Sequence, residues 1–197
     1  MLRRKNTRHD YYYKKAKLEK YKSRAVYKLE QIHKIFKIFK YGVKVVDLGA
    51  HPGGWSQFAR KKVGSKGVVI SVDLQPVNLP NVISIMGDIT EEETIHLIES
   101  KLNGKCGIVL SDCSPNVSGH WGTDHARQIF LAQTSLEIAT RILVKNGIFI
   151  CKIFQGDLVN EFINDVKPLF KIVRTYKPKA SRKQSAEMYL IARGFQK

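Results

Sequence analysis

The sequence predicts an α/β fold: a mostly parallel central sheet with an antiparallel last strand and helices on both faces. Three observations carry this reading. Short runs that are apolar throughout alternate with stretches of helical periodicity, as a sheet covered on both faces requires. Gly, Pro or Asn punctuation bounds each run. The last two strand-like runs are joined by a polar loop too short for a crossover helix, which makes them antiparallel neighbours. With 197 residues, 43% hydrophobic and 26% charged, the chain suits one domain with a sizeable core and is not a disordered segment. No apolar run approaches the roughly 18 residues of a membrane-spanning helix, so no membrane partner is expected. Residues 1–22 read as a basic N-terminal arm and 23–197 as a single domain.

The elements follow in order. From Ser23, Val26, Leu29, Ile32, Ile35, Phe36 and Phe39 recur at helical spacing until Gly42. Lys28 shares the stripe of Ile32, Ile35 and Phe39, which turns its stem toward the body of the protein. KVVDLGA is the first strand and GWSQFARKKV the helix after it; GVVISVD and NVISIMGD are the second and third strands. Thr90 and Glu93 form a capping box opening TEEETIHLIESKL, which Gly104 closes. GIVLSDCSP is the fourth strand, followed by a long amphipathic stretch from about Thr123 to just before Gly147. GIFICKIFQ is the fifth strand, and Asp157 opens the helix DLVNEFINDV. KIVRTYKP and AEMYLIARGF close the sheet across the loop KASRKQS.

Lys and Arg total 34 against 17 Asp and Glu, a net charge of +17 and a pI near 9.9, which points to a polyanionic partner, nucleic acid first. Roughly half the excess lies in residues 1–28, interleaved with Tyr11, Tyr12, Tyr13 and Tyr21. That mixture suits phosphate contact and base stacking, or a solvated helix face. Cys106, Cys113 and Cys151 lack C-x-x-C spacing and lie in or beside apolar runs, as reduced core thiols of an intracellular protein do. The six histidines lack ligand spacing, so no metal is expected. The N-terminus lacks the apolar segment of a secretory signal, and its basic character leaves an organellar presequence open. The compartment expected is therefore the cytoplasm for a bacterial source, the mitochondrion or another organelle for a eukaryotic one.

In an open parallel sheet, ligands bind beyond the carboxyl ends of the strands. The first strand ends in Asp47-Leu48-Gly49-Ala50-His51-Pro52-Gly53-Gly54-Trp55, where small residues let a ligand approach a helix N-terminus. This is not the dinucleotide fingerprint, because the G-x-G-x-x-G spacing fails; a nicotinamide dehydrogenase is disfavoured accordingly. Asp73, at the end of the second strand, is placed to accept both ribose hydroxyls of a nucleoside or to cap a turn. Asp88, after the third, is placed to take an adenine amine or to cap a helix. The absence of a P-loop lysine disfavours a triphosphate. Asp112 ends the fourth strand, Glu187 starts the last, and Lys152 interrupts GIFICKIF, a costly place for an ammonium unless it faces a polar site.

VVDLGAHPGGWSQF, SVDLQP, GDIT, LSDCSPNVSG, KIFQG and SRKQSAEMYLIA, in that order, resemble the FtsJ (RrmJ/RlmE) family of S-adenosylmethionine-dependent RNA 2′-O-methyltransferases, which has bacterial and mitochondrial ribosomal RNA branches. The likeness runs from YKSRAVYKLEQI to the C-terminus. His51 and the Cys113-Ser114 pair depart from the family pattern. The resemblance implies a Rossmann-like methyltransferase fold and S-adenosyl-L-methionine as methyl donor, leaving as S-adenosyl-L-homocysteine. It implies that Gly53 and Trp55 face the methionine side, Asp73 the ribose and Asp88 the adenine, with Gly49, Pro52, Gly54, Leu74, Ile89 and Asp112 completing the cofactor site. The family's Lys-Asp-Lys-Glu tetrad falls on Lys28, Asp112, Lys152 and Glu187.

For the reaction so implied, Lys152 is the expected base for the ribose hydroxyl. A free lysine titrates near ~10.4, so this role needs a depression of roughly 3 units, about 4 kcal/mol. One cation at ~4 Å supplies about 4 kcal/mol at an effective dielectric of ~20, and Lys28 and the sulfonium are the candidates; Asp112 and Glu187 oppose them. In the competing role Lys152 stays protonated and orients the hydroxyl. Arg24, Lys179, Arg182 and Lys183 are the expected RNA contacts. The expected substrate is a uridine ribose in large-subunit ribosomal RNA, acted on by a monomer. A tRNA or mRNA-cap 2′-O-methyltransferase and a non-catalytic RNA-binding assembly factor are the competing functions.

Overall fold

The computed structural model describes residues 7–182 and 184–197. Their elements are, in chain order, α1 (Thr7–Leu18), α2 (Val26–Phe36), β1 (Lys44–Leu48), α3 (Gly54–Val63), β2 (Val68–Asp73), β3 (Ile83–Met86), α4 (Glu92–Leu102), β4 (Cys106–Ser111), α5 (Trp121–Ile142), β5 (Leu143–Phe154), α6 (Val159–Val166), β6 (Phe170–Tyr176) and β7 (Glu187–Phe195). The described residues form one seven-stranded sheet in the order β3-β2-β1-β4-β5-β7-β6. Strands β3 to β5 pair in parallel, while β7 runs antiparallel to both β5 and β6. The mostly parallel α/β fold and the antiparallel C-terminal hairpin stand as the sequence predicts. The strand order reverses between β1 and β4, which is where a doubly wound sheet opens a crevice for ligands.

Two apolar layers flank the sheet. One gathers Val46, Leu48, Ile70, Val109, Phe149 and Cys151 under α4, α5 and α6. The other gathers Val45, Val69, Ile108, Leu110, Ile150 and Tyr189 under α2 and α3. The alternation along each strand supplies both layers at once, because successive side chains point to opposite faces. The edge strands β3 and β6 depart from the all-apolar expectation: Ile83, Met86 and Ile172 are exposed, since an edge strand is covered less completely. α1 packs onto this second layer through buried Ala16 and through Tyr12, whose ring lies 5.3 Å from that of Tyr27. The three cysteines are buried free thiols. Among the described residues no helix is long and apolar enough to cross a membrane.

Three local expectations are corrected. The helix expected to run on to Gly42 ends at Phe36, because Lys37 turns left-handed (φ 51°); Ile38 and Phe39 are buried from the loop that follows, and Ile35 is 55% exposed. The capping box does not form. Thr90 gives both its N–H and its hydroxyl to Asp88 Oδ1, at 2.9 and 2.8 Å, and the helix starts only at Glu92. The fifth strand begins at Leu143, directly after α5, because Leu143 pairs with Cys106 before a register shift restores the ladder at Ile108 and Ile148.

Candidate active site

Parallel strands deliver their C-terminal ends to one side of a sheet, and an antiparallel strand delivers its N-terminal start there. This topology brings Gly49 after β1, Asp73 at the end of β2, Asp88 after β3, Asp112 after β4, Lys152 near the end of β5 and Glu187 at the start of β7 to a single edge. Lys28 reaches the same edge from α2, its Nζ lying 2.7 Å from Glu187 Oε1 and 2.8 Å from Oε2. In the cross-strand register Lys152 faces Tyr189 and Phe154 faces Glu187.

The tetrad forms one connected cluster. Lys152 Nζ donates to the Asp112 carbonyl oxygen at 2.6 Å and lies 3.4 Å from Asp112 Oδ1. Tyr189, two residues after Glu187 on the same face of β7, bridges the two halves: its hydroxyl lies 2.8 Å from Asp112 Oδ1 and 3.3 Å from Glu187 Oε1. Ser181 also donates to Glu187 Oε1, at 3.0 Å. Lys152 is only 6% exposed. Its backbone carbonyl accepts from Gln128 Nε2, which also donates to the Cys113 carbonyl. Burial pushes the Asp112 carboxyl up, but Lys152, Lys28 and the Tyr189 hydroxyl outweigh it and hold the group below the usual carboxylate range. Burial and the two neighbouring carboxylates drive the Tyr189 phenol well above its ordinary value, so it acts as a donor.

Beside this cluster lies a cleft of about 420 Å³ bordered by Gly49, Asp73, Leu74, Asp88, Ile89 and the segment from Asp112 to Asn116. That volume is within the range of small-ligand sites. The Asp73 carboxylate accepts the N–H groups of His51 (2.9 Å) and Gln75 (3.0 Å), which fix it at the cleft wall. Gly49 has φ +69°, and a Cβ there would lie 2.8 Å from the Cys113 backbone; the loop therefore closes against β4 only with glycine.

Pro52, Gly53, Gly54 and Trp55, expected in the cofactor site, do not border this cleft. The space left by Gly53 is taken by Val77 and Leu79, and that of Gly54 by Ser23. Trp55 is buried on the α2 side, where its Nε1 donates to the Ala25 carbonyl and its ring packs 5.4 Å from Tyr189. Periodicity does not reveal this packing, because α3 starts one residue before Trp55 and its phase is set by how the helix sits on the sheet.

Of the expected RNA contacts, Arg24 is half-buried and donates to the Ala180 carbonyl at 3.1 Å, tying the 177–186 loop to the segment that leads into α2. Burial and nearby Arg182 lower its pKa. Lys179 and Arg182 are exposed on that loop, and Lys183 lies outside the described residues. Two contributors were missed at the sequence level. One is Tyr189, for which the i, i+2 spacing from Glu187 is a usable signal. The other is Asp47, fully buried on β1 with its Oδ2 accepting from Ser56 Oγ at 2.5 Å and its Oδ1 without a partner among the described residues. Burial pushes its carboxyl up to about 7, with Asp112 and Asp73 adding to the rise and the Ser56 hydrogen bond opposing it.

A model of FtsJ-like methyltransferases matches residues 21–195. A ribosomal RNA large subunit methyltransferase E from Methanothrix thermoacetophila is 49% identical over 185 residues, covering 93% of this chain and 72% of its own. The protein of that name from Archaeoglobus fulgidus is 47% identical over 191 residues, covering 96% and 98%. The crystal structure of a Plasmodium falciparum protein assigned as a ribosomal RNA methyltransferase superposes with a TM-score of 0.81 at 26% identity, covering 89% of this chain and 98% of that one.

Proposed function

We propose, from the premise that this chain belongs to the FtsJ-like methyltransferase family, that it methylates the 2′-oxygen of a ribose, that of a uridine, in large-subunit ribosomal RNA with S-adenosylmethionine as donor. The observation that carries the reading is the convergence of Lys28, Asp112, Lys152 and Glu187 into one hydrogen-bonded cluster beside the cleft. The names of the archaeal relatives supply the substrate. Those relatives come from cells without mitochondria and lend nothing to an organellar compartment.

The residues present fit the cofactor. Asp73 offers the ribose hydroxyls a carboxylate already oriented by two N–H donors. Asp88 and Ile89 line the cleft and would take the adenine, while Gly49, without a side chain, would let the cofactor approach the backbone. When bound, S-adenosylmethionine supplies a methyl group on a positive sulfur. In the transfer so proposed, the 2′-oxygen would gain the methyl carbon as the S–C bond broke, and the hydroxyl proton would pass to Lys152 Nζ once that ammonium had given up its own extra proton. Lys152 directs two of its tetrahedral positions toward Asp112, which leaves a third for the acceptor hydroxyl. Asp112 holds that amine in place. Glu187 clamps Lys28, keeping a second cation in the cluster, and the Tyr189 hydroxyl links the two carboxylates. Lys179 and Arg182 contact phosphates, which position the strand without reading sequence.

The test is methyl transfer from tritiated donor to isolated large ribosomal particles and to tRNA in parallel, followed by nuclease digestion. Label in a 2′-O-methylated nucleotide of large-subunit RNA is the expected result. Label on a base, on tRNA alone, or nowhere overturns the reading.

A further inference from the structure

Trp121 opens α5 and is 52% exposed, an unusual state for the residue with the largest apolar surface to hide. Its ring stacks almost parallel on His125, with centroids 5.7 Å apart and planes at 11°, and on Phe154, at 6.2 Å and 18°. Phe154 lies two residues past Lys152 on the same face of β5 and pairs with Glu187, so the ring stack starts within roughly 7 Å of the cluster measured along the strand.

The support beneath the stack is rigid. His125 is 5% exposed; its Nε2 accepts the Leu158 N–H at 3.2 Å, and a Cβ on Gly156 would lie 2.7 Å from its ring. Asp124 is already engaged, accepting from Ser118 N, Ser118 Oγ and Gly119 N. This pins the loop that borders the cleft to the first turn of α5. One turn on, Gln128 holds the carbonyls of both Cys113 and Lys152. The first two turns of α5 thus join an exposed indole, held by ring stacking, to the cleft wall and the backbone of the proposed base, held by hydrogen bonds.

We propose that Trp121 is the stacking platform for an unstacked base of the RNA strand, at or next to the nucleotide whose ribose is methylated. This inference rests on the RNA reading above. A ribose can reach Lys152 only if its nucleotide leaves regular stacking, and an aromatic face next to the acceptor site replaces the lost contact. The surface is continuous with the acceptor cluster through Phe154. Because a π-face accepts every base, the platform sets position more than sequence.

The test compares Trp121→Leu, which keeps apolar bulk without a π-face, with Trp121→Phe. On large-subunit RNA the Leu variant should lose about 5- to 150-fold in kcat/KM, mostly in KM for RNA. The Phe variant should stay within about threefold of the parent. Affinity for S-adenosylhomocysteine and the melting temperature should be unchanged in both. Retained kcat/KM in Trp121→Leu overturns the proposal, as does equal impairment of both variants with a lowered melting temperature. Independently of turnover, titrating the unaltered protein with RNA should quench an emission component that Trp121→Phe lacks; no such quenching also overturns it. An unaltered protein that binds RNA with this quenching yet transfers no methyl group would instead sink the methyltransferase reading and leave the platform standing.

Discussion

Asp47 and Asp112 lie at the ends of neighbouring strands, both largely withdrawn from water, and their chemistry is opposite. Around Asp47 the partners are hydroxyls: Ser56, and through it Ser71, which faces Asp47 in the register of β1 and β2. Its carboxyl is pushed up to about 7. Around Asp112 the partners are two ammonium groups and a phenol, and its carboxyl is held low. Burial raises both; at Asp112 the neighbouring cations, helped by the Tyr189 hydroxyl, reverse the outcome. Asp47, buried beneath the glycine loop, is therefore tolerated as a neutral acid, and Asp112 is sustained as a charged one.

The largest expected effect tests the acceptor side. Lys152→Ala removes the cation closest to Asp112 as well as the proposed base, and methyl transfer should fall about 10²- to 10⁴-fold, read in single-turnover assays. The Asp112 carboxyl, followed by NMR, should rise toward the behaviour of Asp47. A pH–rate profile unchanged by that variant, with near-normal turnover, would remove Lys152 from the chemistry.

Next in size is the Asp47 side. A carboxyl raised from 3.8 to about 7 binds its proton more tightly folded than unfolded. Its contribution to stability is complete below about pH 4 and lost as pH rises to about 7, by roughly 4 kcal/mol in all. Relative to Asp47→Asn, the parent protein should lose denaturant stability across that window and the difference should level off above it. A difference that stayed flat from about pH 4 to 7 would show that the Asp47 carboxyl is not raised.

A smaller effect distinguishes the bridge. Tyr189→Phe deletes the donor shared by Asp112 and Glu187 while keeping the ring packed on Trp55. Stability should fall by about 1 to 3 kcal/mol, and the Asp112 carboxyl should move up without approaching the Lys152→Ala value. The smallest effect comes from a cluster at the surface. Arg141 pairs with Glu92 and Glu99 at 2.6 and 3.0 Å, and its hydrogen bonds hold Glu99 low despite some burial. Solvent screens this pair, so Arg141→Ala should cost within about 1 kcal/mol and leave methyl transfer untouched.

Much of the site was legible from residue types at strand ends. Asp73, Asp88, Asp112 and Lys152 announce themselves as polar groups terminating or interrupting apolar runs, and all four reach the same edge. How Trp55 packs was not legible, because a loop motif says nothing about which neighbours the ring meets; it lies against Tyr189. The tie that Arg24 makes from the segment before α2 to the 177–186 loop was not legible, because it joins residues more than 150 positions apart. The capping box failed for a local reason that spacing does not weigh: Asp88, two residues upstream, competes for Thr90.

The amino-acid sequence alone determined the alternation of strands and helices, the polarity of the pole where the strands end, and the chemical inventory delivered there, because hydrophobic period and strand punctuation are local properties of the chain. Only the tertiary structure decided which inventory members meet: that Lys28 pairs with Glu187, that Tyr189 joins Glu187 to Asp112, and that Asp47 is left with hydroxyls where Asp112 gains cations. Those outcomes depend on strand order and on how each helix is rotated against the sheet, and both are set by packing the two apolar layers as a whole.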